Sequence, residues 1–255
     1  MKSKFSKTER RAILASCMIA LFFALPQTVG AMHIMEGYLP VVHSIIWSAV
    51  SLPFVIIGII SIRRTLQQNR RLLILLAMSG AFIFVTSSLK IPSVTGSCSH
   101  MTGTGLSAIL FGPMITSVLG MIVLVFQAIL LAHGGLTTLG ANTFSMAIIG
   151  PIFVVLLYKF GNKVKLNRKV NIFIAATFGD LFTYCVTSAQ LAAAYPSEAG
   201  GFTASLGMFL GVFAPTQVPL SIISGLLTVL VIMGLESVAK PEFAEWAVAD
   251  YHNLR

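Results

Sequence analysis

Apolar runs of nearly twenty residues recur along this 255-residue chain, and no other feature restricts its folding as much. A helix of that length is what about 30 Å of hydrocarbon requires at about 1.5 Å per residue. Composition removes the soluble alternatives, since 56% of the residues are hydrophobic, only 10% are charged, and the mean hydropathy is +0.90. A water-facing surface draws on roughly 25% charged residues. The chain therefore reads as an all-α, polytopic membrane protein. Its net charge of +9 fits membrane orientation, because Lys and Arg collect on the cytoplasmic side of spans. Lipid, not nucleic acid, is the surrounding that this charge implies. The cysteines show no CxxC spacing, hence no disulfide framework and no zinc ribbon.

Residues 1–31 read as a cleaved signal peptide. Lys2, Lys4, Lys7, Arg10 and Arg11 precede the apolar run from Ile13 to Leu25, and Pro26 leads into Thr28-Val29-Gly30-Ala31. That order is basic, apolar, then small-residue, with Val29 and Ala31 placed for cleavage after Ala31. Met32 then becomes the first residue and His33 the second, and residues 32–255 form one integral-membrane unit. The alternative is an uncleaved signal anchor, which adds a helix and keeps the amino terminus inside.

Charge parity threads the rest as seven spans. The first covers roughly 42–61 and ends at Arg63 and Arg64; the second, about 72–89, leads out to a Pro/Ser/Gly/Thr-rich loop at 91–105. The apolar stretch 106–132 is interrupted by Gly112-Pro113. Read as one helix, it would put Lys159, Lys163, Lys165, Arg168 and Lys169 outside, against the positive-inside rule. Split at Gly-Pro into a short helix and a longer one from Met114 to Ala132, it restores parity. Spans near 142–158, 171–192 and 213–235 follow. The mature amino terminus is then extracytoplasmic and the carboxyl terminus cytoplasmic.

In this frame the outer face collects His33 and Glu36, the loop Thr95–His100, the loop His133–Asn142 and the loop around Glu198. His43 begins the first span on the same side, and His252 lies in the tail. For His43 and His133 taken singly, a solvated or hydrogen-bonded side chain is the simplest expectation. His33 differs by its position. In a free Met-His terminus the α-amine, the His33 amide nitrogen and His33 Nδ1 close a five- and a six-membered chelate ring on one metal ion. A planar nitrogen field of this kind suits copper, nickel and cobalt, and its fourth position suits an imidazole. His100, in a loop of glycine and small hydroxylated residues, is the natural donor.

Three blocks carry a likeness to a known family. They are Met32-His-Ile-Met-Glu-Gly-Tyr-Leu-Pro40, Gly96-Ser-Cys-Ser-His-Met-Thr-Gly-Thr-Gly-Leu106 with Ile109-Leu-Phe-Gly-Pro113, and His133-Gly-Gly-Leu-Thr-Thr-Leu-Gly-Ala-Asn-Thr-Phe-Ser-Met146. Together they closely resemble the cobalt/nickel substrate-capture membrane subunit (CbiM/NikM) of energy-coupling-factor transporters, over essentially the whole mature chain. The resemblance implies a six-helix substrate-binding core plus one amino-terminal helix that plugs the free terminus into the metal site. Met32 then supplies its amine, His33 its amide and ring nitrogens, and His100 its ring nitrogen. The bound ion is Co2+ as transported substrate, not a cofactor, and the Ile-Met-Glu-Gly form looks like the cobalt branch more than the nickel branch. Ni2+ is the alternative substrate, and cobalamin synthesis the implied destination of cobalt. Met101 stands where the family pattern has proline, a departure that bears on loop stiffness. The implied partners are a transmembrane coupling subunit, two cytoplasmic ATPase subunits and a small accessory membrane protein.

No GxxxxGK[ST] phosphate loop occurs in the chain, so ATP hydrolysis falls to partners. Ala77-Met-Ser-Gly-Ala81 is a small-xxx-small pattern. The resemblance implies that Ala77 and Ala81 dock on the coupling subunit, while packing within the bundle is the equal alternative. Asp180, well inside a span, is expected to face the bundle in a hydrogen-bonded stripe with Tyr184, Thr187 and Ser188, a proton relay being the alternative. Gln217 and Pro219 are candidates to line the cavity. An intramembrane metallohydrolase lacks support because there is no HExxH motif. A sensor would need a signalling domain, for which the cytoplasmic segments are short.

Overall fold

A computed structural model describes residues 33–92 and 98–238. The signal segment, Met32 and His252 lie outside them. The described chain is mostly helical. Helix α1 spans Val41–Gln68 and α2 spans Leu72–Ser88. A small antiparallel hairpin, β1 Lys90–Pro92 with β2 Cys98–His100, pairs Lys90 with His100. The short α3, Thr104–Phe111, precedes α4, Pro113–Leu131. Then come α5, Leu139–Lys163, α6, Arg168–Ala194, and α7, Gly201–Val238. Five of these, α1 and α4 to α7, are long and apolar enough to cross a membrane; α2 is apolar but has only 17 residues.

The break at Gly112-Pro113 is present. Gly112 has φ +81°, open to glycine at little cost, and Pro113 starts α4 at a position whose N–H needs no helical partner. The piece before it differs from expectation. Eight residues rise only about 12 Å, so α3 does not span a bilayer. It runs inward from the hairpin, and α4 returns to the same end, so His100 and His133 meet. Parity requires that reversal and not a full crossing. The basic residues Arg63, Arg64, Arg70, Arg71, Lys159, Lys163, Lys165, Arg168 and Lys169 sit at the ends of α1 and α5, in the turn after α1, in the link from α5 to α6 and at the start of α6, opposite the histidines.

Two further features were not foreseen. The last helix begins at Gly201, well before the expected 213, and carries Pro215 and Pro219 inside it. Within α5, Thr143–Ile149 is π-helical. Pro151 explains the wider turn, because it has no N–H to give Ala147 and its ring crowds that carbonyl, so the ladder before it shifts to longer bonds.

Packing rests on small residues, as expected where lipid offers no hydrophobic contrast between helices. Helix α1 buries Ser44, Ser51, Val55 and Gly58. Gly140 of α5 lies so close to α1 that an added Cβ would come within 2.4 Å of the Ser48 Cα, and the Ser51 hydroxyl donates to the Gly140 carbonyl at 2.8 Å. Helices α6 and α7 form the most extensive helix pair. An apolar cluster including Leu76, Leu106, Leu110, Phe111, Ile172 and Ile232 fills the end of the bundle away from the histidines.

Candidate metal centre

Three imidazoles converge where the amino-terminal segment, the β2 hairpin strand and the loop after α4 meet. The rings of His33 and His100 are 4.2 Å apart, those of His33 and His133 4.8 Å, and those of His100 and His133 5.0 Å. One nitrogen from each lies within 4.8 Å of the others, and all three residues are buried. Metal–imidazole bonds of about 2 Å hold ligand nitrogens at most about 4 Å apart. Closing the trio on one ion thus takes a small inward movement of the rings.

The hydrogen bonds select which nitrogens remain open. His33 Nε2–H donates to the Gln127 Oε1 at 3.2 Å, and Gln127 Nε2 donates to the Ser87 hydroxyl at 2.7 Å. His33 Nδ1 keeps its lone pair, as the six-membered chelate requires. His100 Nδ1–H donates to the Met101 carbonyl at 2.9 Å, which leaves its buried Nε2 without a partner among the described residues. A proline at 101 would offer the same carbonyl, so the departure there leaves this bond available. His133 Nε2 is likewise buried and unpartnered. Orienting a ligand histidine through its other nitrogen is a common feature of metal sites.

Burial keeps these rings neutral. It is the largest cause for all three: His33 is held well below the usual histidine range, aided by His100 and His133, His100 is lowered to about 4, and His133 to about 2. The Met101 carbonyl partly opposes the shift at His100. At neutral pH the three rings offer lone pairs, and no proton has to leave an imidazole before a metal ion arrives.

A clamp built from the His133–Asn142 loop fixes the segment that carries His33. Asn142 Oδ1 accepts the Ile34 N–H at 2.8 Å while its Nδ2 donates to the Ile34 carbonyl at 3.0 Å, so one side chain replaces a strand partner. The Thr138 hydroxyl donates to the same carbonyl at 2.6 Å, and Glu36 N–H donates to the Gly134 carbonyl at 3.2 Å. The Thr137 hydroxyl, and after it the backbone N–H groups of Thr137 and Leu136 that donate to the Glu36 carboxylate, lower its pKa.

The structure brings His33 and His100 together as expected and adds His133, whose expected solvated or locally bonded role is corrected. Its Gly-Gly loop at the mouth of an apolar helix was the available signal. Gln127, fully buried inside the α4 run, was missed. Met32 lies outside the described residues. His43 stands outside the trio, and Glu198 is exposed. Asp180, Tyr184, Thr187 and Ser188 form the expected buried stripe, but they bond outside it: Asp180 accepts the Thr102 N–H at 2.9 Å, Tyr184 donates to the Leu210 carbonyl and Thr187 to the Thr183 carbonyl. Gln217 is buried and donates to the His100 carbonyl at 3.3 Å; Pro219 is exposed and lines nothing inside. Ala77 and Ala81 are both exposed, which removes packing within this bundle as their role.

Comparison with known proteins agrees with this architecture. A crystal structure titled as a transition metal transporter superposes with a TM-score of 0.72 at 25% identity, over 82% of this chain and 94% of that one. The cobalt transport protein CbiM of Lachnoclostridium phytofermentans is 61% identical over 237 residues, 93% of this chain and 95% of its own. That of Thermosipho melanesiensis is 58% identical over 214 residues, 84% and 90% of the two chains. The family profile described as CbiM, cobalt uptake substrate-specific transmembrane region, matches residues 33–242, and the chain belongs to that family.

Proposed function

We propose that this protein is the substrate-capture subunit of an energy-coupling-factor importer, binding extracytoplasmic Co2+ for ATP-driven uptake that feeds cobalamin synthesis. The buried trio of neutral imidazoles carries the reading, and the relatives named as cobalt transport proteins support it. Cleavage after Ala31 frees the Met32 amine beside His33. The amine, the His33 amide and Nδ1, and His100 Nε2 then form the nitrogen field, with His133 Nε2 a further donor in reach. The open atoms of His33 and His100 are the ones this arrangement uses. The chain acts as a carrier and not as an enzyme.

In the membrane the seven helical segments act as a six-helix core with α1 as the added amino-terminal helix. The histidine end faces outward and the basic end faces the cytoplasm. On α2, the exposed Ala77 and Ala81 stand among the exposed Ile74, Met78 and Val85, a small-residue face directed out of the bundle. It docks on the transmembrane coupling subunit, which connects to two ATPase subunits; a small accessory membrane protein completes the assembly.

Metal analysis of the processed protein together with amino-terminal sequencing tests the reading. The expected result is a chain beginning Met-His that holds one tightly bound cobalt, lost on His33→Ala or His100→Ala without loss of membrane insertion. Nickel in place of cobalt in the protein as isolated would reassign the substrate, whereas preference for nickel in competition follows from the nitrogen ligands themselves. Tight binding that survives both substitutions would remove the site.

A further inference from the structure

Beneath the histidines the bundle interior stays polar. On α7, Gln217, Ser221, Ser224 and Thr228 recur at four, three and four residues and so share one helix face, and all are buried. On α6, Asp180 and Thr177 are also buried. The two faces meet: Ser221 lies beside the Asp180 carboxylate, and a Cβ added to Gly225 would fall 2.1 Å from the Thr177 hydroxyl. The upper end of this seam joins the capture site through covalent neighbours. Asp180 Oδ1 accepts the N–H of Thr102, and Gln217 Nε2 donates to the carbonyl of His100.

What those bonds leave over is informative. Gln217 Oε1 is buried with no hydrogen-bond partner among the described residues, and Asp180 Oδ2 has only the neighbouring Ser221 hydroxyl, short of a regular hydrogen bond. A buried carboxylate oxygen and amide oxygen left unmatched in a membrane interior are costly. As a carboxylate Asp180 only accepts, as does the Gln217 amide oxygen, so with Asp180 ionised the two cannot satisfy each other. A cation satisfies both. The donors are a carboxylate, an amide carbonyl and a hydroxyl, an all-oxygen set of a kind that holds late first-row divalent ions less firmly than imidazole does.

We propose that Asp180, Gln217 and Ser221 form a second, weaker site for a divalent cation, directly below the histidines, which receives the ion when it leaves the nitrogen ligands. The assignment rests on the capture reading above. Passage through a membrane protein needs sites favourable enough to enter and weak enough to leave, and a single buried carboxylate meets both conditions. Below Thr228 the seam runs into the apolar cluster at Ile172 and Ile232, so in this conformation the second site is the end of the path.

Equilibrium dialysis of the purified, processed subunit against Co2+ up to millimolar concentration tests this, with Mn2+ electron paramagnetic resonance as an oxygen-preferring probe of the same site. Wild type should bind one tight equivalent and one weaker by about a thousandfold. Ser221→Ala should leave the tight equivalent unchanged and weaken the second about tenfold. Asp180→Asn, whose amide oxygen can still accept from Thr102, should remove the second equivalent and the Mn2+ signal, with folding checked by thermal melting. His100→Ala should do the reverse, losing the tight equivalent and keeping the weak one. A tight equivalent with no second in wild type, or a second that survives Asp180→Asn and Ser221→Ala, overturns the transit site alone. Absence of the tight equivalent in wild type overturns the capture reading and the transit site with it.

Discussion

Helices α1 and α5 both serve the metal centre, yet they are built on opposite terms. In its most apolar stretch α1 is 17% buried, against 61% for α5. Helix α1 turns Val41, Val42, Ile45 and Ile46 outward and touches the bundle through a narrow stripe of Ser44, Ser51, Val55 and Gly58. Helix α5 is buried along most of its length, and its first turn ends in Asn142, which grips Ile34. His33 is thus delivered by the segment leading into the shallowest of the five long helices and positioned by the deepest one. Precision at the site resides in the clamp and not in the helix that carries the ligand.

The harshest way to break this division of labour leaves both helices intact. One glycine inserted between Ala31 and Met32 moves the amine away from the His33 amide and opens the five-membered chelate ring. Cobalt affinity should drop at least about a thousandfold, each tenfold step being about 1.4 kcal/mol, in a protein shown by sequencing to begin Gly-Met-His. Unchanged affinity would mean that amine and amide are not ligands. Next in size, Gly140→Val forces α1 off α5, since even a Cβ would meet Ser48 at 2.4 Å. About a hundredfold loss is expected by calorimetric titration, with the protein still extracted from membranes in folded form.

Asn142→Leu keeps the helix contact and removes the clamp. It leaves the buried Ile34 N–H unpaired, a cost of about 1–3 kcal/mol, so affinity should fall about ten- to a hundredfold. A smaller loss for Asn142→Leu than for Gly140→Val separates helix docking from clamp strength; equality would merge them. The pH dependence comes next. His100 titrates near 4 in the folded protein and His133 near 2, both below the unfolded value of about 6.5. Between those values the unfolded chain takes up protons that the folded chain refuses, so this contribution to stability is complete above about pH 6.5 and declines as pH falls towards 4. Metal-free thermal melts should show that decline, with a shallower slope in His100→Phe. The smallest effect on binding belongs to α2: Ala77→Leu with Ala81→Leu should shift cobalt affinity less than about twofold while lowering uptake by the assembled transporter. Full uptake would dismiss that face as the docking surface.

Much of this was legible in the chain. Apolar runs and basic clusters placed the helices and their reversals because both reflect one-dimensional demands of the bilayer. His33 and His100 stood out through local chemistry, an expected terminus at the residue before His33 and a loop of small residues around His100. His133, Gln127 and Asn142 did not, because their roles exist only across separations of about a hundred residues in the chain, as in the bond from Gln127 to His33. Periodicity tells which positions are apolar; it does not tell which buried amide meets which backbone. The α3 half-helix and the π turn escaped for a different reason, since a Gly-Pro or a lone proline marks an interruption without fixing how much helix survives on either side.

The apolar cluster at the far end also governs what this protein does when it is alone. An ion that reached the polar seam would have to shed its remaining ligands among Leu106, Leu110, Phe111, Ile172 and Ile232 to go further, and moving a bare charge into such surroundings costs tens of kcal/mol in the Born limit. A copy inserted in the membrane without partners is therefore electrically tight. It does not short-circuit the gradients on which the rest of the membrane depends.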